Sequence, residues 1–494
     1  MFQPAVKYLL FALFVVNFSA SWVLGEEGEL TPDLIRQLQD EFELDTQTQI
    51  TQNAVTNNDI DKLALNRGIL RGHNGHFSHK IKFAGITNQG ASGRCWLFAG
   101  LNTMRPRAMK NAKLEKIELS AAYLHFWDKL EKSNLFLEYM IEMRDTNYLD
   151  REWELVHKWT LGDGGWWNYV ADLVDKYGVV PQDVMPETHS SENTRRMNTV
   201  LERKLRHDAV ALHNMHKKGA SIKDLREYKR KALAEVYRFL VINIGEPPRQ
   251  FEWRYEVKPE KSSSEEGDDD DKADDEENED DDSIENKKLA TTGVITPKEF
   301  YQEFVDLKLN EYVCLYNDQV NPYMKHYQFK RSKNMVGRAD MNFVNIPIDQ
   351  MKQIAMNSVI DNRPVWFAAD VGKDQSSEHG IMAADLFDYG PLFDLDLSIS
   401  KADQVKYRGG TSNHAMVFMG VDVQEGHPAK WLVENSWGEK NGHKGVWTLY
   451  DDWFNRHVYV IIVHKDHVPQ KIMKAFKQPA QQLPAWYPGA AGIE

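Results

Sequence analysis

Gln89-Gly90-Ala91-Ser92-Gly93-Arg94-Cys95-Trp96 is the stretch that decides how this chain folds and what it does. It closes a polar, glycine-rich connection (66–90) and leads into Cys95, Phe98, Ala99 and Leu101, which suit an apolar helix interior. A helix is therefore predicted to begin near Gly93, with Cys95 at its N-terminus. The positive end of the helix dipole favours thiolate there. An imidazolium partner would lower the thiol pKa further and complete an ion pair able to attack a carbonyl. Gln89, six residues upstream, can aim its carboxamide at the same point as the Cys95 backbone N–H. Donors placed around a developing oxyanion are commonly worth ~3 kcal/mol.

The base must come from elsewhere. Thr411-Ser412-Asn413-His414-Ala415-Met416-Val417 sets His414 at the start of an apolar strand, and Val433-Glu434-Asn435-Ser436-Trp437-Gly438 sets Asn435 at a strand end. The Asn435 carboxamide can accept from the second imidazole nitrogen and fix tautomer and orientation. Trp437 can shield that bond from water. Each residue alone has an ordinary use: a buried small thiol, a packed imidazole, a turn. The ordered set Gln89, Cys95, His414, Asn435 outweighs those readings. The other cysteine, Cys314, lies in an apolar strand-like run and reads as an inert core thiol. A Cys95–Cys314 disulfide would consume the nucleophile and is rejected. His73, His76 and His79 resemble a metal tract but have no cysteine or ordered carboxylate beside them, so no metal and no cofactor are expected.

The 494-residue chain carries a formal net charge of −14. Between Glu265 and Glu285 there are 15 acidic residues and one lysine, so this stretch alone accounts for the imbalance and the remainder sums to zero. The body is not a nucleic-acid binder by net charge. The acidic segment has almost no apolar residues and reads as a disordered loop. Around it, helical periodicity runs through Met197, Leu201, Leu205 and Leu212 and again through Leu225, Ala232, Val236 and Leu240, a helical hairpin turning at Gly219-Ala220-Ser221. Ser120 is a candidate cap of a further helix. Short strand-like runs fill the C-terminal third, so a helical lobe precedes a β lobe.

At the N-terminus, Lys7 precedes the apolar run YLLFALFVVNF (8–18), followed by small residues and Glu26. This is the order of a secretory signal peptide cut after Gly25, with an uncleaved anchor as the alternative. No other stretch is long and apolar enough to cross a bilayer.

The motif Ala91-Ser92-Gly93-Arg94-Cys95-Trp96 resembles the bleomycin hydrolase/aminopeptidase C family of papain-like cysteine peptidases, as do 117–130 (IELSAAYLHFWDKL), Asp163-Gly164-Gly165, 177–191 (YGVVPQDVMPETHSS) and His414–Val421 (HAMVFMGV). The likeness spans residue 30 to the C-terminus. It implies an α+β, two-lobed fold, a helical lobe plus a β-barrel-like lobe, with helical insertions. The corresponding segments are a signal peptide (1–25), an extension packing on the core (26–83), the helical lobe (84–190), a helical insertion (191–258), the acidic loop (259–288), a connecting segment (289–340), the β lobe (341–470) and a tail directed to the active-site cleft (471–494). By the same resemblance, Cys95, His414 and Asn435 are catalytic, Gln89 and Cys95 form the oxyanion hole, and Trp96 and Trp437 support them. Asp163, Gly164, Gly165 and the terminal Glu494 would contact a peptide substrate with a free N-terminus, and six subunits would form a ring. An endopeptidase and a catalytically idle binding protein of the same fold are the alternatives. The family is cytoplasmic, whereas this chain is expected to be secreted or to reside in the secretory pathway or periplasm, with the cytoplasm as the alternative.

Overall fold

The computed structural model describes residues 28–159, 161–257, 288–490 and 492. The expected signal peptide, nearly all of the acidic loop, and Glu494 lie outside the described residues. The described residues of Met1–Ala64 with Pro391–Leu395 form one compact unit, and those of Leu65–Gly390 with Asp396–Glu494 the other. The first unit carries the helices Pro32–Glu41 and Thr46–Asn57. Thr31 Oγ1 accepts from the Leu34 N–H and an Asp45 carboxylate oxygen from the Thr48 N–H, so each helix has the side-chain cap its first orphan donors require. Neither helix has a buried residue. The extension read as 26–83 thus ends as a unit at Ala64.

The second unit holds Cys95, His414 and Asn435. Its central helix, Cys95–Ala112, is buried over most of its length. The helix Ala121–Glu142 begins at Ser120, whose Oγ accepts from the Tyr123 N–H. The expected hairpin is present as Arg195–Lys217 and Ile222–Ile244, both packed against Ala121–Glu142, with a reciprocal Ser221–Asp224 capping box opening the second.

One twelve-stranded sheet organises the β lobe. Its middle runs Tyr312–Tyr316, Val458–His464, Val365–Ala369, His414–Gln424, His427–Glu434, Val446–Tyr450, each neighbouring pair antiparallel. The strand His414–Gln424 is buried through its first eight residues because the helices Cys95–Ala112 and Ile348–Ile360 both pack on it. That is why HAMVFMGV reads as a continuous apolar run instead of an alternating one.

The β lobe recruits more chain than 341–470. Tyr312–Tyr316 and His326–Phe329, from the segment read as a connection, and Gln481–Leu483, from the tail, all join the sheet. Among the described residues its path is open: the terminal strands Gln481–Leu483 and Gln375–Ser376 do not pair with each other. A separate hairpin, Phe251–Val257 with Lys288–Ile295, brackets the acidic run.

Candidate active site

Cys95 is the first residue of its helix and fully buried. The loop before it is braced from several sides. Arg94, also fully buried, makes a two-pronged ion pair with Glu187 (3.1 and 3.0 Å) while its Nε donates to Ser92 Oγ (2.9 Å). A bidentate, desolvated pair of this kind holds direction as well as charge. Gly90 has φ +62°, and a Cβ there would stand 2.5 Å from the Glu192 carbonyl oxygen, so only glycine fits the turn.

His414 starts its strand opposite Ala369. Its Nε2 donates to Asn435 Oδ1 (2.8 Å), and the same oxygen accepts from the Ser436 N–H (2.7 Å). Two donors on one atom fix which end of the carboxamide is oxygen, and hence which ring nitrogen carries the proton. Trp437 lies over the imidazole with ring centroids 4.7 Å apart. Burial pushes the His414 pKa down to about 4, against the opposing pull of the Asn435 hydrogen bond.

Gln89 is tied to the same strand end. Its backbone N–H donates to the Ser436 carbonyl (2.8 Å), and its Oε1 accepts from Ser436 Oγ (2.6 Å). Its Nε2 gives one hydrogen to the Ser92 carbonyl (2.6 Å), which leaves the other for a ligand. The helix and the sheet are also fastened directly: Trp366 Nε1, on the strand beside His414, donates to the Trp96 carbonyl (3.1 Å). Gln89, the Cys95 helix, His414 and Asn435 therefore form one hydrogen-bonded framework.

Asp163, Gly164 and Gly165 lie alongside. Trp96 Nε1 donates to the Asp163 carbonyl (2.7 Å). A Cβ on Gly165 would fall 2.5 Å from the Trp96 ring, so glycine is required for this approach. The Asp163 carboxylate is already engaged, by the Gly93 N–H, Thr194, Asn198 and Lys129, the last at 2.6 Å. Burial acts to raise its pKa, but Lys129, His125 and the hydrogen bonds outweigh it and hold the carboxyl well below its usual range. Its side chain braces the Cys95 loop, whereas the Gly164–Gly165 backbone faces the tail: a Cβ on Gly492 would sit 3.3 Å from the Gly165 nitrogen. Trp486 and Tyr487 secure the tail upstream, Trp486 under Arg151 and Tyr487 through its hydroxyl to Asp318 (2.6 Å).

Several positioning residues escaped the sequence reading. Lys132 Nζ donates to the Gly162 and Gly164 carbonyls (3.0 and 2.8 Å), and Lys129 Nζ to those of Leu161 and Gly162. Ser436, the link between Gln89 and Asn435, had no signal beyond its place in a turn motif. Cys314 is a free thiol on Tyr312–Tyr316, its pKa pushed up by burial. His73 Nδ1 is 3.1 Å from the Tyr450 hydroxyl. Among the described residues, no group of three or more His, Cys, Asp or Glu side chains is arranged to hold a metal, and no helix is long and apolar enough to cross a membrane.

The Peptidase C1-like family model matches residues 29–268 and 277–490, leaving out only part of the acidic run within that span. The chain belongs to that family. It is 34% identical to an aminopeptidase C of Streptococcus thermophilus over 462 residues, 93% of this chain and 98% of the relative. It is 33% identical to the bleomycin hydrolase of Homo sapiens over 482 residues, 95% and 99%. Among solved structures, PepW from Lactobacillus rhamnosis superposes with a TM-score of 0.86 at 32% identity, covering 94% of this chain and all of that one. The fold of this C1-like peptidase is the papain-like one, a helical lobe joined to a large mixed sheet.

Proposed function

We propose that the chain is a cysteine aminopeptidase that removes residues from free N-termini, as the names of its relatives, aminopeptidase C and bleomycin hydrolase, suggest. The observation that carries the chemistry is the His414–Asn435 bond, on a strand end that also positions Gln89 beside the Cys95 helix. The Cys95 thiol passes its proton to His414 Nδ1, the nitrogen not held by Asn435. The thiolate attacks the scissile carbonyl carbon, and the oxyanion is held by the Cys95 N–H and the spare Gln89 Nε2 hydrogen. Collapse expels the amine, protonated by His414, and water then hydrolyses the thioester. An imidazolium alone is disfavoured in so buried a site. It is tolerated as the partner of a thiolate, which makes the ion pair the working state.

The tail supports the direction of cleavage. With Gly492 against Gly164–Gly165, the last residues would occupy the side of the cleft that a long peptide's N-terminal portion needs. The terminal carboxylate would pair with a substrate α-ammonium, a contact that an acetylated N-terminus cannot make. Deleting residues 490–494 should weaken aminopeptidase turnover and open cleavage of N-acetylated peptides; unchanged specificity removes the tail from this role. Two further parts of the reading rest on sequence and resemblance: export directed by residues 1–25, to be checked by sequencing the native N-terminus near Glu26, and assembly of six subunits into a ring.

A further inference from the structure

Toward the C-terminal end of the Cys95–Ala112 helix, a cleft of about 740 Å³ opens between that helix, the 306–312 segment and the 361–364 turn. Six cationic side chains line it, Lys82, Arg107, Lys110, Lys113, Lys308 and Arg363, against three carboxylates, Asp306, Glu311 and Asp361. Glu311 is already engaged by Lys465 (2.9 Å) and His464 (3.1 Å). Arg107, Lys110, Lys113 and Lys308 stand exposed. At ~1.5 Å per residue, Lys110 is about 22 Å along the helix axis from Cys95, so the cleft is separate from the catalytic framework.

The acidic run is attached beside this cleft. The hairpin Phe251–Val257/Lys288–Ile295 lays Trp253 and Tyr255 against Phe304, with ring centroids 5.9 and 5.7 Å apart. Phe304 is two residues before Asp306, and its carbonyl accepts from Asn111 of the Cys95 helix (3.0 Å), next to Lys110. Between Val257 and Lys288 run 30 residues that include all 15 acids of the 265–285 stretch. The middle of such a segment lies ~15 residues from either anchor, an r.m.s. reach of roughly 20–25 Å. At that tether length the local concentration is in the millimolar range, so contacts with a Kd of about 1 mM already hold the run in place much of the time.

We propose that the acidic run 265–285 docks within its own chain in this basic cleft. The charges are complementary, the hairpin that carries the run packs on Phe304, two residues from Asp306 of the cleft, and the run is long enough to reach it.

Carbodiimide coupling tests this, since it joins a carboxylate to a lysine amine only at ion-pair distance. It should be applied to the full-length protein as an equal mixture of light and ¹⁵N-labelled copies and read by mass spectrometry. Links from 265–285 should concentrate on Lys110, Lys113 and Lys308, within light or within heavy copies. They should fade at ~300 mM salt. The variant Arg107→Glu/Arg363→Glu, which leaves the target lysines in place, should lower their yield about tenfold. Mixed light–heavy links would assign the run to a second copy and overturn the proposal. So would an even spread over exposed lysines such as Lys223 and Lys471, an absence of links, or yields indifferent to the Arg→Glu changes.

Discussion

Arg105→Met should be among the most damaging single substitutions outside the candidate catalytic residues. Arg105 lies on the Cys95 helix and pairs with Glu434, the residue before Asn435, through Nη1–Oε1 at 2.7 Å. Each side chain is 1% exposed. The guanidinium also donates to the Ile117 and Gly85 carbonyls (2.8 and 2.9 Å) and to that of Ala84. Removing one partner of a buried pair costs ~3–5 kcal/mol, because the other charge is left uncompensated. Each orphaned carbonyl adds ~1 kcal/mol. Methionine refills much of the apolar volume, so no cavity cost is added, and the loss is about 6–8 kcal/mol of a total that is usually 5–15. The sign of its pH dependence follows. Burial raises the Glu434 pKa above its ordinary 4.5, and Arg105 opposes that rise. Without Arg105 the folded-state value climbs further, so both proteins lose stability as pH rises above about 4.5, the wild type until about 7 and the variant beyond it, and the variant's deficit widens above about pH 7. Urea unfolding followed by tryptophan fluorescence at about pH 5 and pH 8 measures both effects. A deficit below ~1 kcal/mol, or one that shrinks as pH rises, would refute the reasoning.

Two predictions concern the base. His414→Ala should abolish turnover of an aminoacyl fluorogenic substrate, whereas Asn435→Ala should lower kcat but leave measurable activity, since the imidazole survives with poorer orientation; the reverse order would exchange their roles. While Cys95 is a thiol, burial holds the His414 pKa down to about 4, so the first proton leaves the Cys95–His414 pair at or below about pH 4, and kcat/KM should stay level from neutrality to about pH 5 and fall only as pH approaches 4. An acid limb at the ordinary imidazole value of 6.5 would contradict that environment.

The candidate site residues were legible because short stretches carry them: a cysteine entering an apolar helix, a histidine opening an apolar strand, an asparagine at a strand end. The helices Arg195–Lys217 and Ile222–Ile244 were legible through apolar residues stepping at three and four. The braces beneath the site were not. Asp128, Lys129, Glu131 and Lys132 are charged residues of the helix Ala121–Glu142, yet all four are buried: Glu131 is held by Lys176 and Tyr177 and Asp128 by Lys132, while Lys129 and Lys132 reach the carbonyls of 161–164 and the Asp163 carboxylate. That pairing depends on a chain segment some thirty residues away, which no local pattern encodes. The same reason hid the extent of the sheet. Tyr312–Tyr316 takes its neighbours from Asn342–Asn345 and Val458–His464, and the hairpin Phe251–Val257/Lys288–Ile295 is interrupted in sequence by the acidic run.

The most direct test of the central claim is to incubate the purified protein, and its Cys95→Ala variant, with matched peptide libraries bearing free or acetylated N-termini, and to sequence the products by mass spectrometry. The account predicts stepwise loss of N-terminal residues from the free library, little or no cutting of the acetylated one, and no products with Cys95→Ala. Equal internal cleavage of both libraries would make the protein an endopeptidase. Products from folded Cys95→Ala, or none from the unaltered protein, would contradict the account at its root.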